Sequence, residues 1–407
     1  MKYMIIIPDG MADLPMDQLK GKTPMEYART PFMDSLASAG ETGLVRTIPR
    51  GMPPGSDVAN LSVMGYDPAS CHTGRSPLEA VSMGLDLAPD DMVFRCNLVT
   101  LSGEPEYRAK TMIDHSAGGI LSEDGKILID YIKTGLEAGG ISFYPGVSYR
   151  NIMVWSGGPG DMKLTPPHDI LEKKIATHLP SGSGSRTILE LMEESASMLG
   201  CHPLNRSRMD MGSRPANSIW LWGQGKRPFL DDFYIKYGVR GSVISAVDLI
   251  RGIGKCAGLD VVEVEGITGT INTNMEGKAK AAVDELLSGK DFVFVHIEAP
   301  DECSHQGDMG EKIRAIELID EKVVGYARKQ LDKSGLDYRL MVLPDHPTPI
   351  SIRTHTPDPV PFVIHDSRTA GRPKKTGFSE RYASSTGIMI EKGHRLADRF
   401  FEKDPIF

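Results

Sequence analysis

The segment Asp291-Phe292-Val293-Phe294-Val295-His296-Ile297-Glu298-Ala299-Pro300-Asp301-Glu302-Cys303-Ser304-His305 decides the fold. Phe292 to Ile297 is a short, almost unbroken apolar run, the pattern of a strand buried on both faces. Chemistry-bearing side chains follow directly. Asp301 and His305 are four residues apart, so one helical turn places both on one face. A buried strand that runs straight into such residues belongs to an open α/β sheet, where ligands bind beyond the carboxyl ends of the strands.

The same alternation continues on either side. Val261–Glu265 reads as a strand and Gly277–Leu287 as a helix. Glu311–Leu331 carries Ile313, Ile316, Ile319, Val323 and Val324 at helical spacing. Arg339–Leu343 and Val360–Ile364 read as further strands. At the other end of the chain, Tyr3–Ile7 is a strand and Lys22–Ala39 a helix, with Pro24 and Pro31 limiting its start. This alternation predicts an α/β fold with a mostly parallel sheet covered by helices on both faces. The middle differs. From about Pro77 to Gly238 the strands are short (Asn97–Leu101, Asn151–Trp155) and the loops are rich in Gly, Ser and Pro, including 182–186 and 223–229. The expected organisation is therefore a core domain built from residues 1–76 and 239–407, with a smaller inserted α+β domain at 77–238.

Composition excludes other classes. The 407 residues are 40% hydrophobic and 25% charged, with net charge −8, as in an ordinary globular protein. The acidic balance argues against nucleic-acid binding through a basic face. No run approaches the roughly 18 apolar residues of a membrane span. Five scattered cysteines, none in a CxxC pair, argue against a disulfide framework and for a reducing cytoplasm.

Several further residues join Asp301 and His305 at strand ends. Asp9 follows Tyr3–Ile7, Asp345 and His346 follow Arg339–Leu343, and His355 lies in the loop before Val360. Adjacent Asp345 and His346 point to opposite sides of an extended turn and can serve two ions. A mixed carboxylate and imidazole set suits zinc or manganese better than magnesium or calcium. Any one of these residues alone reads as a helix cap or a loop residue; the set reads as a metal site. Ser56 ends the run Gly51-Met52-Pro53-Pro54-Gly55 and opens a helix over 57–64. It reads first as a cap. The same helix end favours an anion, and a nearby metal would make the hydroxyl a nucleophile.

Together, Pro8-Asp9-Gly10, Gly55-Ser56, Asp301-x-x-x-His305, Asp345-His346 and His355-Thr356-Pro357 resemble the alkaline phosphatase superfamily, and more closely the archaeal-type cofactor-independent phosphoglycerate mutases. The likeness runs nearly the full length, including Pro215-Ala216-Asn217. It implies an alkaline-phosphatase-like core and two divalent metal ions, manganese or zinc, or magnesium. Asp9, Ser56, Asp345 and His346 would hold one ion, and Asp301, His305 and His355 the other. Ser56 would take a phosphoryl group from the substrate and return it to a different oxygen, interconverting 3- and 2-phosphoglycerate while the inserted domain excludes water.

One segment departs from that pattern. Those mutases carry an Asp-Arg-Arg-Ala-Gly-Arg type stretch where this chain has Asp114-His115-Ser116-Ala117-Gly118-Gly119. Arginine forks are the usual clamps for phosphate and carboxylate. Arg208, Arg214 and Lys255, with Asp114 and His115, are the expected substrate-binding residues. Asp114-His115 and 296–302 also resemble a bacterial branch proposed to act as homoserine kinases. A plain metallophosphatase and a metal-stabilised binding protein complete the alternatives. The long insertion argues against the first, and the full Asp/His/Ser set against the second. The expected partner is a small phosphorylated metabolite; the sequence does not set the oligomeric state.

Overall fold

The computed structural model describes residues 1–369 and 376–402. The strands in chain order are β1 (Lys2–Pro8), β2 (Glu41–Val45), β3 (Met92–Leu101), β4 (Met112–Asp114), β5 (Ile141–Val147), β6 (Arg150–Trp155), β7 (Ser218–Gly225), β8 (Gly241–Ile244), β9 (Asp260–Val261), β10 (Phe292–Ile297), β11 (Tyr338–Val342), β12 (Val360–Asp366) and β13 (Met389–Ile390). The chain divides into two compact units. One is Met1–His72 with Phe229–Phe407, the other Thr73–Pro228. The second crossing falls before the expected residue 239 because Phe233 stacks on Phe292 of β10, with centroids 4.9 Å apart and planes 7° apart.

The larger unit holds an eight-stranded sheet in the order β13-β2-β12-β11-β1-β10-β8-β9. β1 lies between β10 and β11, parallel to both. Only β12 runs against its neighbours β11 and β2. The central strands read as apolar runs because both faces are covered: Ile5, Ile6, Phe294, Val295, Leu340 and Met341 are fully buried. The predicted helix Lys22–Ala39 divides into Pro24–Tyr27 and Pro31–Ala39. Pro31 lacks an N–H and clashes with a preceding turn, so it can open a helix but not continue one. The predicted strand Val261–Glu265 shortens to Asp260–Val261, at the sheet edge. The predicted helix over 311–331 is longer, from Met309 to Ser334, and includes a π-turn at Asp320–Gly325.

The smaller unit is an antiparallel sheet, β4-β3-β6-β5, with β7 on the other side of β3. The helices Ser122–Leu136 and Ser185–Gly200 pack on one face through Phe94, Cys96, Leu98, Leu128, Ile132, Met192 and Leu199. Among the described residues, no helix is long and apolar enough to cross a membrane.

Candidate metal centre and catalytic serine

Strand alternation delivers the carboxylates. Asp9 is the residue after β1, and its N–H bonds Ile297 O at the end of β10 at 3.0 Å. Gly10 then turns with φ 62°, and a Cβ there would lie 2.6 Å from both Asp301 Oδ1 and Thr348 Oγ1. Only glycine lets the first strand's end approach the other two so closely. Asp301 lies in the helix Ala299–Gln306 that follows β10. Asp345 and His346 follow β11 and are fully buried.

Two groups of ligand-type atoms result, each with its atoms within 4.8 Å of one another: Asp9, Asp345 and His346, and Asp301, His346 and His355. His346 thus stands in both. His305 adjoins the second group, with Nε2 3.2 Å from Asp301 Oδ2 and 3.1 Å from His355 Nε2. Ser56 is not a helix cap: Gly55 holds the cap position and Ser56 is the first helical residue. Its Oγ lies 3.1 Å from His346 Nε2. The helix Ser56–Val63 is held to the site by Asn60, whose Nδ2 donates to Asp345 Oδ2 at 2.9 Å and to Ser56 O at 2.9 Å.

The tautomer of His346 follows from its partners. Thr348 Oγ1 donates to Asp301 Oδ1 at 2.6 Å, because an ionised carboxylate only accepts. The same oxygen then accepts from His346 Nδ1 at 3.2 Å. The Nε2 lone pair is left facing Ser56 and the carboxylates.

The electrostatics fit a cation. Burial, together with the neighbouring charges of Asp345 and Asp301, drives Asp9 well above the usual carboxylate range. Burial would also raise Asp301, but hydrogen bonds from His305 and His355 hold it well below that range. The bond to Asp301 in turn lifts His305 to about 9. Asp9 Oδ1 is buried and has no hydrogen-bond partner among the described residues. An orphaned carboxylate oxygen among two other carboxylates and three imidazoles is a donor set that can hold a metal cation.

The expected substrate-binding residues are distributed over both units. Lys255 is in the last turn of the helix Asp248–Cys256, in the larger unit. Asp114, His115, Arg208 and Arg214 are in the smaller one. Asp114 accepts from Ser116 N and Oγ at 2.7 and 2.6 Å, and from Arg214 Nη1 at 2.5 Å. Ala117, Gly118 and Gly119 take successive positive φ values, which accounts for the two glycines. Arg208 is buried and braces this loop. It donates to Ala117 O at 2.9 Å, to Arg214 O at 3.1 and 3.2 Å, and to Asp124 at 2.9 Å. His115 packs edge-on against Tyr149 and His168.

Four residues that meet this centre escaped the sequence reading. His296 Nε2 lies 2.9 Å from Asp9 Oδ2. Thr348 and Asn60 hold Asp301 and Asp345 as described. Thr47 Oγ1 donates to Asp345 O at 2.5 Å. His296 alone had a visible signal, a histidine inside an apolar strand.

Comparison with known proteins agrees with this geometry. A profile described as 2,3-bisphosphoglycerate-independent phosphoglycerate mutase matches residues 37–205. A relative from Geobacter sulfurreducens, described as a probable mutase of that kind, is 50% identical over 403 residues, covering 99% of this chain and all of its own. A mutase of the same description from Methanothrix thermoacetophila is 50% identical, covering 97% of this chain and 98% of its own. Among solved structures, a protein from Pyrococcus horikoshii superposes with TM-score 0.81 at 32% identity, covering 100% and 98% of the two chains. The cofactor-independent phosphoglycerate mutase of Thermoplasma acidophilum gives 0.64 at 25% identity, covering 98% of each. The chain belongs to the 2,3-bisphosphoglycerate-independent phosphoglycerate mutase family.

Proposed function

We propose that this chain interconverts 3-phosphoglycerate and 2-phosphoglycerate through a phosphoserine at Ser56. The observation that carries the reading is the position of Ser56. Its Oγ lies 3.1 Å from His346 Nε2, beside both ligand groups and at the start of a buried helix. Asp9, Ser56, Asp345 and His346 are the residues to hold one divalent cation, and Asp301, His305 and His355 the other; manganese or zinc suits these donors best. When bound, the two cations supply charge stabilisation on either side of an in-line phosphoryl transfer.

The chain's own part is nucleophile and positioning. Ser56 Oγ gives up its proton and forms the bond to phosphorus as the glycerate oxygen leaves and takes up a proton. The other glycerate hydroxyl then loses its proton and takes the phosphoryl group, and the freed serine oxygen is reprotonated. Asn60 fixes Ser56 against Asp345, and the N-terminal, positive end of the helix dipole of Ser56–Val63 favours an anion beside Ser56. Lys255, His115 and Arg214 are the cationic or polar groups assigned to the substrate. The five cysteines, all unpaired, are consistent with a cytoplasmic setting.

Transfer to homoserine is the second reading. It is favoured by the Asp114–Gly119 loop, where Arg208 is spent on the protein's own carbonyls and His115 is the one ring in place of arginines. Turnover of the Mn²⁺-loaded protein separates the two. Conversion of 3- to 2-phosphoglycerate without added nucleotide is expected; phosphohomoserine formed from homoserine and ATP, with no such conversion, reverses the order. Ser56→Ala should fold yet lose several orders of magnitude of turnover. Mass spectrometry of substrate-treated protein should find phosphate on Ser56.

A further inference from the structure

We infer that His296 is a positioning residue. Through a one-directional hydrogen-bond chain from Ser245, it ties down one oxygen of Asp9 and presents the other, Oδ1, as a single ligand atom. The inference rests on the metal-centre reading above.

Register places the two side chains together. β1 and β10 are parallel with Ile7 opposite His296. Asp9 is two residues beyond Ile7, so alternation returns it to the same side of the sheet as His296. His296 is fully buried, and its Nε2 reaches Asp9 Oδ2 at 2.9 Å. Its Nδ1 lies 3.2 Å from Ser245 Oγ.

The direction of each bond follows from the carboxylate. A metal-binding Asp9 carboxylate only accepts, so His296 Nε2 carries the proton and donates to Oδ2. The Nδ1 of the neutral ring then accepts from the Ser245 hydroxyl, whose oxygen in turn accepts from Val247 N–H at 3.0 Å. Lys278, also buried, donates to His296 O at 2.8 Å and pins the backbone from which the ring hangs. Asp9 Oδ2 is thus occupied, while Oδ1 remains buried with no hydrogen-bond partner among the described residues. With one oxygen held, Asp9 cannot swing to chelate through both. Outer partners of this kind set the orientation and basicity of a metal-binding carboxylate.

The test is calorimetric titration of Mn²⁺ into chelator-stripped, folded protein. Wild type should show two binding events. His296→Leu keeps the bulk but removes the donor, and should weaken one event by about 10- to 100-fold while leaving the other in place. His296→Gln returns an N–H close to the Nε2 position and should restore affinity to within about threefold of wild type. The second event is the internal control, because a general loss of structure would weaken both. If the leucine variant does not fold, Ser245→Ala reads the same chain and should weaken the same event to a smaller degree. Unchanged Mn²⁺ binding in folded His296→Leu or, failing that, in Ser245→Ala overturns the inference and leaves the metal-centre reading intact, as does a glutamine variant no better than leucine. Failure of wild type to bind Mn²⁺ at all removes that reading and this inference with it.

Discussion

Thr348→Val tests whether a buried hydroxyl sets the state of the histidine next to Ser56, the proposed nucleophile. Valine has nearly the same shape, and Thr348 is fully buried, so the change opens no cavity. What is lost is two hydrogen bonds. The bond to Asp301 Oδ1, at 2.6 Å, is charge-assisted and worth about 1.5–3 kcal/mol; the bond from His346 Nδ1, at 3.2 Å, is worth about 1 kcal/mol. Thermal unfolding should therefore show a loss of about 3 kcal/mol. The second loss also frees the ring. A preference of about 1 kcal/mol for the Nδ1–H form corresponds to roughly a fivefold excess, so the tautomer ratio should fall about fivefold, the fraction with a bare Nε2 from about five sixths to about one half, and kcat by about twofold or less. KM should change little, because the hydroxyl faces only the protein. Nitrogen chemical shifts of His346 report the tautomer directly. An unchanged tautomer ratio in the folded variant would refute the reasoning.

The other expectations are simpler. Dialysis against a chelator should abolish turnover, and Mn²⁺ or Zn²⁺ should restore it better than Ca²⁺; full activity in a verified metal-free sample would contradict the donor-set argument. Arg208→Ala should cost about 3–5 kcal/mol in the stability of the smaller unit, because it strips Asp124 and three carbonyl contacts of a buried guanidinium; normal stability with a raised KM would instead make Arg208 a substrate ligand. Burial tends to raise Asp366, but hydrogen bonds from Arg368 and Arg339 hold it at about 2. It is depressed below its unfolded value, so its contribution is complete above about pH 4 and fades as pH falls toward 2. Asp366→Asn should be less stable at neutral pH and show a shallower acid slope over that window, as read by denaturant titration.

The residues that gather at the candidate site were legible because carboxylates and imidazoles are conspicuous at the ends of apolar strands. Asp9, Asp345 and Asp301 needed only the rule that a parallel sheet presents its ligands beyond its carboxyl edge. Their supports were hidden for a definite reason. His296 meets Asp9 only through the β1–β10 register, a pairing across 287 residues that no local pattern encodes. Thr348 and Asn60 are ordinary polar residues until the third dimension aims them. Arg208 is hard to read for a different reason, since a guanidinium looks the same in sequence whether it awaits an anion or, as its contacts here show, braces a loop. Proline correctly marked the start of Pro31–Ala39, but its power to cut Lys22–Ala39 in two was underweighted. The π-turn at Asp320–Gly325 left no mark on the helical spacing.

The position of β1 has a consequence for how the protein is made. It leaves the ribosome before every other described strand, yet its two neighbours begin at Phe292 and Tyr338. At roughly 5–20 residues per second, Ile5, Ile6 and Ile7 wait on the order of tens of seconds for a partner. All the strands of the smaller unit, by contrast, have been synthesised by Gly225, within one continuous stretch of chain. Synthesis thus completes the insert's strands while the first apolar strand of the larger unit's sheet still has both its edges open, and open strand edges of that kind are what chaperones shield.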